Sequence, residues 1–441
     1  DLHKEYRRQR QMCIRDRSLP DEMVKKYKLS EYNIYLDEKR GLVYNTITQA
    51  VSEFEDKVLL ADNLPDLVEC GFIVPVEADE RAILQDEYDQ RDKFSNELHL
   101  IIATTLDCQL RCVYCYEKHP CIYMNDSTKA AVINMVDNYA KIGKNISVVW
   151  YGGEPMLDFE SIKQLTHEFQ NICSDHGVQY TASMISNGYS FSEESILELD
   201  ELSVVSVQIT VDGTKATHES RRPMISGNES FEHIIKNMIA IDHNTNTEVH
   251  LRINVDQDNI QSAYGLVTYL KEVGLTNIDV NLGMMKAFGC DHACGGDAKN
   301  LFTMKAFADE FIRFKEHLID NGFYHAVEKM MPEYKVNSCT MDAPDSYVID
   351  PDGYVYKCIS KVGQKECSIG NVKEGFNEKA HLFIDAFDSE MCEKCKYFPI
   401  CKGGCLINNR GDHKECNIWK FITESLLIAD IDQCEKENNE A

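Results

Sequence analysis

Leu98-His99-Leu100-Ile101-Ile102-Ala103-Thr104-Thr105-Leu106 runs directly into Asp107-Cys108-Gln109-Leu110-Arg111-Cys112-Val113-Tyr114-Cys115-Tyr116. The first half is a near-continuous apolar run of strand length, the pattern of a strand inside a parallel sheet. The second half sets three cysteines at Cys-x3-Cys-x2-Cys spacing on a tight loop at that strand's carboxyl end. Three thiolates so placed hold three irons of a 4Fe-4S cube and leave the fourth iron for an outside ligand. An open coordination position is what separates a catalytic metal site from a structural one, by analogy with zinc. The competing reading is a zinc loop completed by His119 or Cys121.

Working outward, five more strands are expected at Ile146–Tyr151, Tyr180–Ser186, Val204–Val211, Val249–Val255 and Ile278–Leu282. Amphipathic stretches separate them; Phe231, Ile234, Ile235 and Met238 share one helical face. Continuous apolar strands spaced by helices indicate a parallel sheet covered on both sides. Six βα units are too few for an eight-fold closed barrel, so the α/β fold expected over 98–325 is a partial (β/α)6 barrel.

The flanks read differently. The run Gln11-Met12-Cys13-Ile14-Arg15-Asp16-Arg17-Ser18 resembles a translated sequencing-adaptor remnant, and 1–29 is set aside as foreign or disordered. Over 30–76, strands at Tyr32–Leu36 and Leu42–Tyr44, helices around Ile47–Phe54 and Leu60–Val68, and a strand at Phe72–Pro75 are expected. That order resembles the winged-helix unit with which peptide-modifying enzymes hold a leader peptide; a plain packing appendage would read the same. The charged stretch 77–97 reads as a helical linker. From Val336 helical periodicity fades into short glycine- and cysteine-punctuated segments, a composition that needs metal to hold it.

Composition bounds the function. The chain has 441 residues, with 46 Lys and Arg against 73 Asp and Glu, a net charge of −27. Such a surface excludes a protein that lives on nucleic-acid phosphates. No run approaches the eighteen apolar residues of a membrane span. Eighteen cysteines without a secretory signal point to thiols kept as metal ligands in a reducing cytoplasm. Nine of them fall between Cys339 and Cys434, so the last quarter has its own chemistry.

The Cys108–Cys115 loop resembles the signature of the radical S-adenosylmethionine (SAM) enzymes. Tyr151-Gly152-Gly153-Glu154-Pro155 resembles the family's glycine-glycine-glutamate element, in which backbone and carboxylate meet the methionine ammonium of SAM. Glycines suit a chain that a cofactor approaches closely. Ile209-Thr210-Val211-Asp212-Gly213 with Arg221-Arg222 is similar to a further element, which maps SAM contacts onto Thr210 and Arg222. Tyr114 maps to the residue near the adenine. The resemblance implies an enzyme whose cluster donates one electron to SAM, and whose 5′-deoxyadenosyl radical takes hydrogen from an unactivated C–H bond. A flavodoxin- or ferredoxin-type reductant is implied as partner.

The later cysteines run Cys339, Gly353-x4-Cys358, Cys392-x2-Cys395-x5-Cys401-x3-Cys405, Cys416. That order resembles the seven-cysteine SPASM domain, placed here at 336–434. It implies two auxiliary 4Fe-4S clusters, three in all. Cys392, Cys395, Cys401 and Cys416 would hold the outer one, and Cys339, Cys358 and Cys405 three corners of the inner one. Cys367, Cys434 or a substrate thiol would fill its fourth corner; a pair of zinc ribbons is the bland alternative. Cys70 and Cys173 read as buried small hydrophobes, and Cys290, His292 and Cys294 as an exposed loop with incidental thiols, a metal- or substrate-binding loop being the alternative.

Anaerobic sulfatase maturases carry an aspartate directly after the cysteine of Gly-x4-Cys, and here that position is Ile359. With no base there, the expectation is a peptide maturase acting on a ribosomally made precursor and forming a cross-link such as a thioether. Oxidation of a protein side chain or a small alcohol, a non-catalytic iron-sulfur carrier, and a zinc module are the alternatives. No catalytic base is assigned; Asp212, Asp256 and Asp342 are equally explained by turns and caps.

Overall fold

The computed structural model describes residues 11–14, 26–54, 64–286, 300–381, 386–407 and 416–440, so Cys290, His292 and Cys294 lie outside it. Near the amino end β1 (Gln11–Ile14) runs parallel to β5 (Val51–Phe54), which continues antiparallel through β4 (Leu42–Asn45) to β3 (Asn33–Asp37). A second pair joins β2 (Tyr27–Leu29) to β6 (Ile73–Pro75). The helix expected over Ile47–Phe54 is instead a tight turn and β5. Gln49 takes φ +64° and its N–H donates to Asn45 O at 2.8 Å, which turns the chain back on β4. Of the next expected helix the structure describes α1 (Leu64–Glu69).

The charged linker stretch is helical, as α2 (Glu80–Asp89), with Asp79 capping Ala82 N at 2.9 Å. It is also clamped in place. Buried Glu80 accepts from Ser30 Oγ at 2.6 Å and Glu31 N at 2.8 Å, while Leu84 and Tyr88 pack on Phe398 and Leu406.

Six parallel strands follow: β7 (Glu97–Thr105), β8 (Asn145–Gly152), β9 (Tyr180–Ser186), β10 (Val204–Thr210), β11 (Glu248–Val255) and β12 (Asp279–Met284). They lie side by side in chain order, joined by crossovers carrying α3 (Asp126–Lys141), α4 (Phe159–His176), α5 (Lys215–Arg221), α6 (Phe231–Asn244) and α7 (Ile260–Glu272), with α8 (Met304–Asp320) after β12. The partial (β/α)6 arrangement is as expected, but the strands are not alike on both faces. In β11, Val249, Leu251, Ile253 and Val255 are buried against the helices, while His250, Arg252 and Asn254 alternate with them and stay partly exposed. Helices therefore cover one face, and the other carries the polar side chains.

The sheet does not close. β7 takes β13 (Ser346–Ile349) in parallel on its outer edge, and β14 (Tyr354–Tyr356), β15 (Gly370–Asn371) and β16 (Gly375–Phe376) extend it to ten strands. This covers an edge that would otherwise invite pairing with another chain. It also explains why β7 is buried on both faces: Ile101, Ala103 and Leu106 pack on Val348, Tyr356 and Val362.

The fading of helical periodicity beyond Val336 is corrected at the carboxyl end, where α9 (Trp419–Glu440) is the longest described helix. Its Ile422 and Leu426 pack on Ala308 of α8, and Leu427 and Ile431 on Ile34, Leu36 and Leu42. The helix faces two partners on opposite sides, so its apolar residues form no single stripe.

Candidate active site

The loop after β7 is pinned by its own short side chains. Asp107 N donates to Thr105 Oγ1 at 3.0 Å and Cys108 N to Asp107 Oδ1 at 2.9 Å. Beyond Cys108 the loop is laced to the segment after α5. Arg111 N donates to Pro223 O at 2.8 Å, Val113 N to Arg221 O at 2.9 Å, and Ile225 N to Gln109 O at 3.0 Å. That lacing brings Arg222 to Tyr114, whose hydroxyl accepts from Arg222 Nη1 at 2.6 Å and Asn254 Nδ2 at 3.3 Å. Asp212 is fully buried beside them and accepts from Asn254 N at 3.1 Å.

Cys108, Cys112 and Cys115 are free thiols. Burial pushes Cys108 and Cys115 up to about 12, and neighbouring Cys112 adds to both; burial raises Cys112 as well. Left alone these sulfurs stay protonated, and a bound metal is what would make them thiolates. Three soft donors on one loop suit an iron-sulfur cluster. Arg222 Nε and Gln109 Oε1, both buried, have no hydrogen-bond partner among the described residues, and so leave polar valence for a further group.

The glycine pair has a cause within the chain. A Cβ on Gly152, at φ +137°, would lie 2.1 Å from Thr105 O, and one on Gly153 2.3 Å from Asp107 O. Glu154 N donates to Asp107 O at 2.8 Å, so this segment is zipped to the root of the cysteine loop. The Glu154 carboxylate, fully buried, accepts from Ser186 Oγ at 2.8 Å, Met156 N at 3.0 Å and Asn187 N at 2.7 Å. Burial raises its pKa against those three donors. Asn187 Nδ2 in turn reaches Cys108 Sγ at 3.9 Å. The Ser186-Asn187-Gly188 turn is thus part of the site. Thr210 sits buried at the carboxyl end of β10, two residues before Asp212.

Among the carboxyl-terminal cysteines, Cys339 feels Cys358 and Cys405, and Cys401 feels Cys392, Cys395 and Cys416. Cys339 is exposed as a residue, yet desolvation of its thiol pushes it up to about 11, helped by Asp342, Cys358 and Cys405. Burial likewise takes Cys401 up to about 12, with Cys395, Cys392 and Cys416 adding to it. Asp342 is a loop cap: it accepts from Ser338 N and Cys339 N, each at 2.9 Å. Asp256 accepts from Asp258 N at 3.0 Å and pairs with Arg221 at 2.8 Å. Cys367 is exposed beside Gln364.

Ile359 lies in the apolar cluster of Ile101, Ala103, Leu106, Tyr151 and Val362, where the cysteine-rich unit meets β7 and β8. Residue spacing gave no sign of the polar group beside it. The hydroxyls of Tyr116 and Tyr151 are 2.7 Å apart, and Tyr151 donates to Glu117 Oε1. Burial lifts the Glu117 carboxyl to about 7, and its Oε2 has no hydrogen-bond partner among the described residues. Arg252 on β11 and Asn254 were also missed, because alternation marks a residue's face but not its partners. At the other end of the strands, Glu248, Asp279 and His325 converge, but Lys329 Nζ already sits 2.9 Å from both carboxylates.

Residues 102–255 match the model of the Radical SAM superfamily. The cysteine-type anaerobic sulfatase-maturating enzyme of Clostridium perfringens is 24% identical over 346 residues, 69% of this chain and 88% of that one. Among solved structures, native anSMEcpe with bound AdoMet and Cp18Cys peptide shares the fold at a TM-score of 0.61 and 22% identity, over 78% of this chain and 100% of that chain. Streptococcus suis SuiB bound to precursor peptide SuiA aligns at a TM-score of 0.53 and 12% identity, over 89% of this chain and 98% of that chain. No helix among the described residues is long and apolar enough to cross a membrane.

Proposed function

This chain is a radical SAM enzyme, and on that premise we propose that it is a maturase that takes hydrogen from a peptide and closes a cross-link such as a thioether. In this reading Cys108, Cys112 and Cys115 hold the SAM-binding cluster, and Tyr114, Gly152, Gly153, Glu154, Thr210 and Arg222 surround SAM. Cys392, Cys395, Cys401 and Cys416 hold an outer auxiliary cluster. Cys339, Cys358 and Cys405 hold three corners of an inner one, whose fourth is left to a substrate thiol. When bound, cluster and SAM together supply a 5′-deoxyadenosyl radical able to abstract hydrogen from an unactivated C–H bond.

The protein's own contribution is position and shelter. Backbone lacing between 109–113 and 221–225 fixes the cysteine loop, and Glu154 ties it to the end of β9. The apolar cluster of Ile101, Leu106, Ile359 and Val362 would help keep water from the reacting groups on that side. A reducing cytoplasm and a flavodoxin- or ferredoxin-type electron donor complete the proposal.

Ile359 is the observation that carries cross-linking over side-chain oxidation: the position after Cys358 is packed among aliphatic and aromatic side chains and offers no proton acceptor. One observation favours the second reading, oxidation of a side chain, namely the Glu117 carboxyl held by Tyr151 in the same region. Anaerobic incubation with cysteine-bearing candidate peptides separates the two by mass and thiol titration. Loss of two hydrogens with a blocked thiol is the expected product. A thiol replaced by an aldehyde would establish oxidation instead.

A further inference from the structure

β11 carries three polar side chains on the face away from the helices, and each has different company. At the amino end His250 Nε2 lies 3.1 Å from Asp279 and 3.2 Å from Glu248. At the carboxyl end Asn254 bonds the Tyr114 hydroxyl. Arg252 stands between them, two residues and so about 6.8 Å below Asn254. Among the described residues its guanidinium is bonded by neutral amides: Nε donates to Asn254 Oδ1 at 3.0 Å and Nη1 to Asn281 Oδ1 at 3.5 Å. Among the described residues no carboxylate pairs with it, whereas Arg221 alongside has Asp256 and Asp212. Burial draws its pKa down, and the more distant Tyr114, Asp212 and Tyr116 offset this only in part.

The neighbouring strand is shaped around this group. A Cβ at Gly283 of β12 would lie 2.3 Å from Arg252 Nη2 and 2.4 Å from Nε. Gly283 has no left-handed backbone angle, so what glycine supplies there is room for the guanidinium. Glycine weakens a strand interior and commonly marks close approach of another group. A seated, partly buried guanidinium without an anion is incomplete, and its planar fork matches a carboxylate in two-pronged geometry.

We propose that Arg252 is the anion-binding residue of this sheet face and receives a carboxylate of the peptide substrate, from an acidic side chain or a chain terminus. The proposal rests on the peptide reading above. The carboxylate of SAM is the other source of the same chemistry, and the test separates the two.

The full chain, reconstituted anaerobically and loaded with SAM, is titrated calorimetrically with two blocked pentapeptides that differ only in a central Glu or Gln. The parent should bind the Glu peptide about ten-fold more tightly, as a charge-assisted two-pronged contact warrants. Arg252→Gln should abolish that preference. Gly283→Ala, which keeps the charge but crowds it from its seat, should reduce it several-fold. Circular dichroism and iron content confirm that each variant is folded and loaded. The proposal is overturned if the parent shows no preference, if neither peptide binds, or if the preference survives Arg252→Gln. It is also overturned if affinity for SAM falls by the same factor as the preference, which would give the carboxylate to SAM. Formation of 5′-deoxyadenosine and peptide mass change are read separately, so failure of the maturase reading is distinguishable from failure of this one.

Discussion

Replacing Gly153 with alanine separates two reasons for a glycine at that position. A Cβ there would lie 2.3 Å from Asp107 O and 2.5 Å from Leu106 O. Both are backbone atoms, and Asp107 O also accepts from Glu154 N, so neither retreats without breaking the link between β8 and the cysteine loop. A carbon–oxygen contact normally sits at about 3.3 Å, so the two segments must part by about 1 Å. Overpacking of this kind costs about 1–3 kcal/mol. At about 2–4 °C per kcal/mol, the melting temperature should fall by about 2–12 °C. The cause is intramolecular, so the fall should appear in metal-free protein as well as in reconstituted enzyme, measured by scanning calorimetry on both. Metal-free Gly153→Ala that melts with the parent, and loses only affinity for SAM, would refute the reasoning. The glycine would then serve the cofactor alone.

Other outcomes follow from the same geometry. Replacing Cys108, Cys112 and Cys115 together by alanine should lower the iron content from about twelve to about eight per chain if three cubes are held, with SAM cleavage abolished. Asp342→Ala frees the N–H groups of Ser338 and Cys339; a loss of about 1–2 kcal/mol should show as a lower melting temperature and faster iron release to a chelator. Tyr114→Phe leaves Arg222 Nη1 and Asn254 Nδ2 without their shared acceptor, and at about 1–3 kcal/mol should weaken SAM binding, read by equilibrium dialysis. Leu427→Ala opens a cavity where α9 meets the amino-terminal hairpin; about 2–5 kcal/mol of lost packing should make residues 26–54 the first cleaved in limited proteolysis.

The legible parts of this fold were those set by period and spacing. All six core strands were placed within two residues at each end, because β-branched runs bounded by helical periodicity leave little alternative. Three things were not. The turn before β5 depends on a left-handed Gln49, a backbone choice that glutamine does not advertise. Helix α9 serves two surfaces at once, so its apolar residues show no single face. The Tyr116–Tyr151–Glu117 group joins the loop after β7 to β8, and the seat of Arg252 joins β11 to β12; such tertiary proximity leaves no periodic trace.

The most direct measurement is the yield of 5′-deoxyadenosine from SAM after anaerobic reconstitution and reduction with dithionite. The folded, iron-loaded parent should form it, and Cys108→Ala, still carrying iron in its carboxyl-terminal unit, should form none. An iron-loaded parent that binds reductant's electrons yet leaves SAM intact would contradict the account at its root.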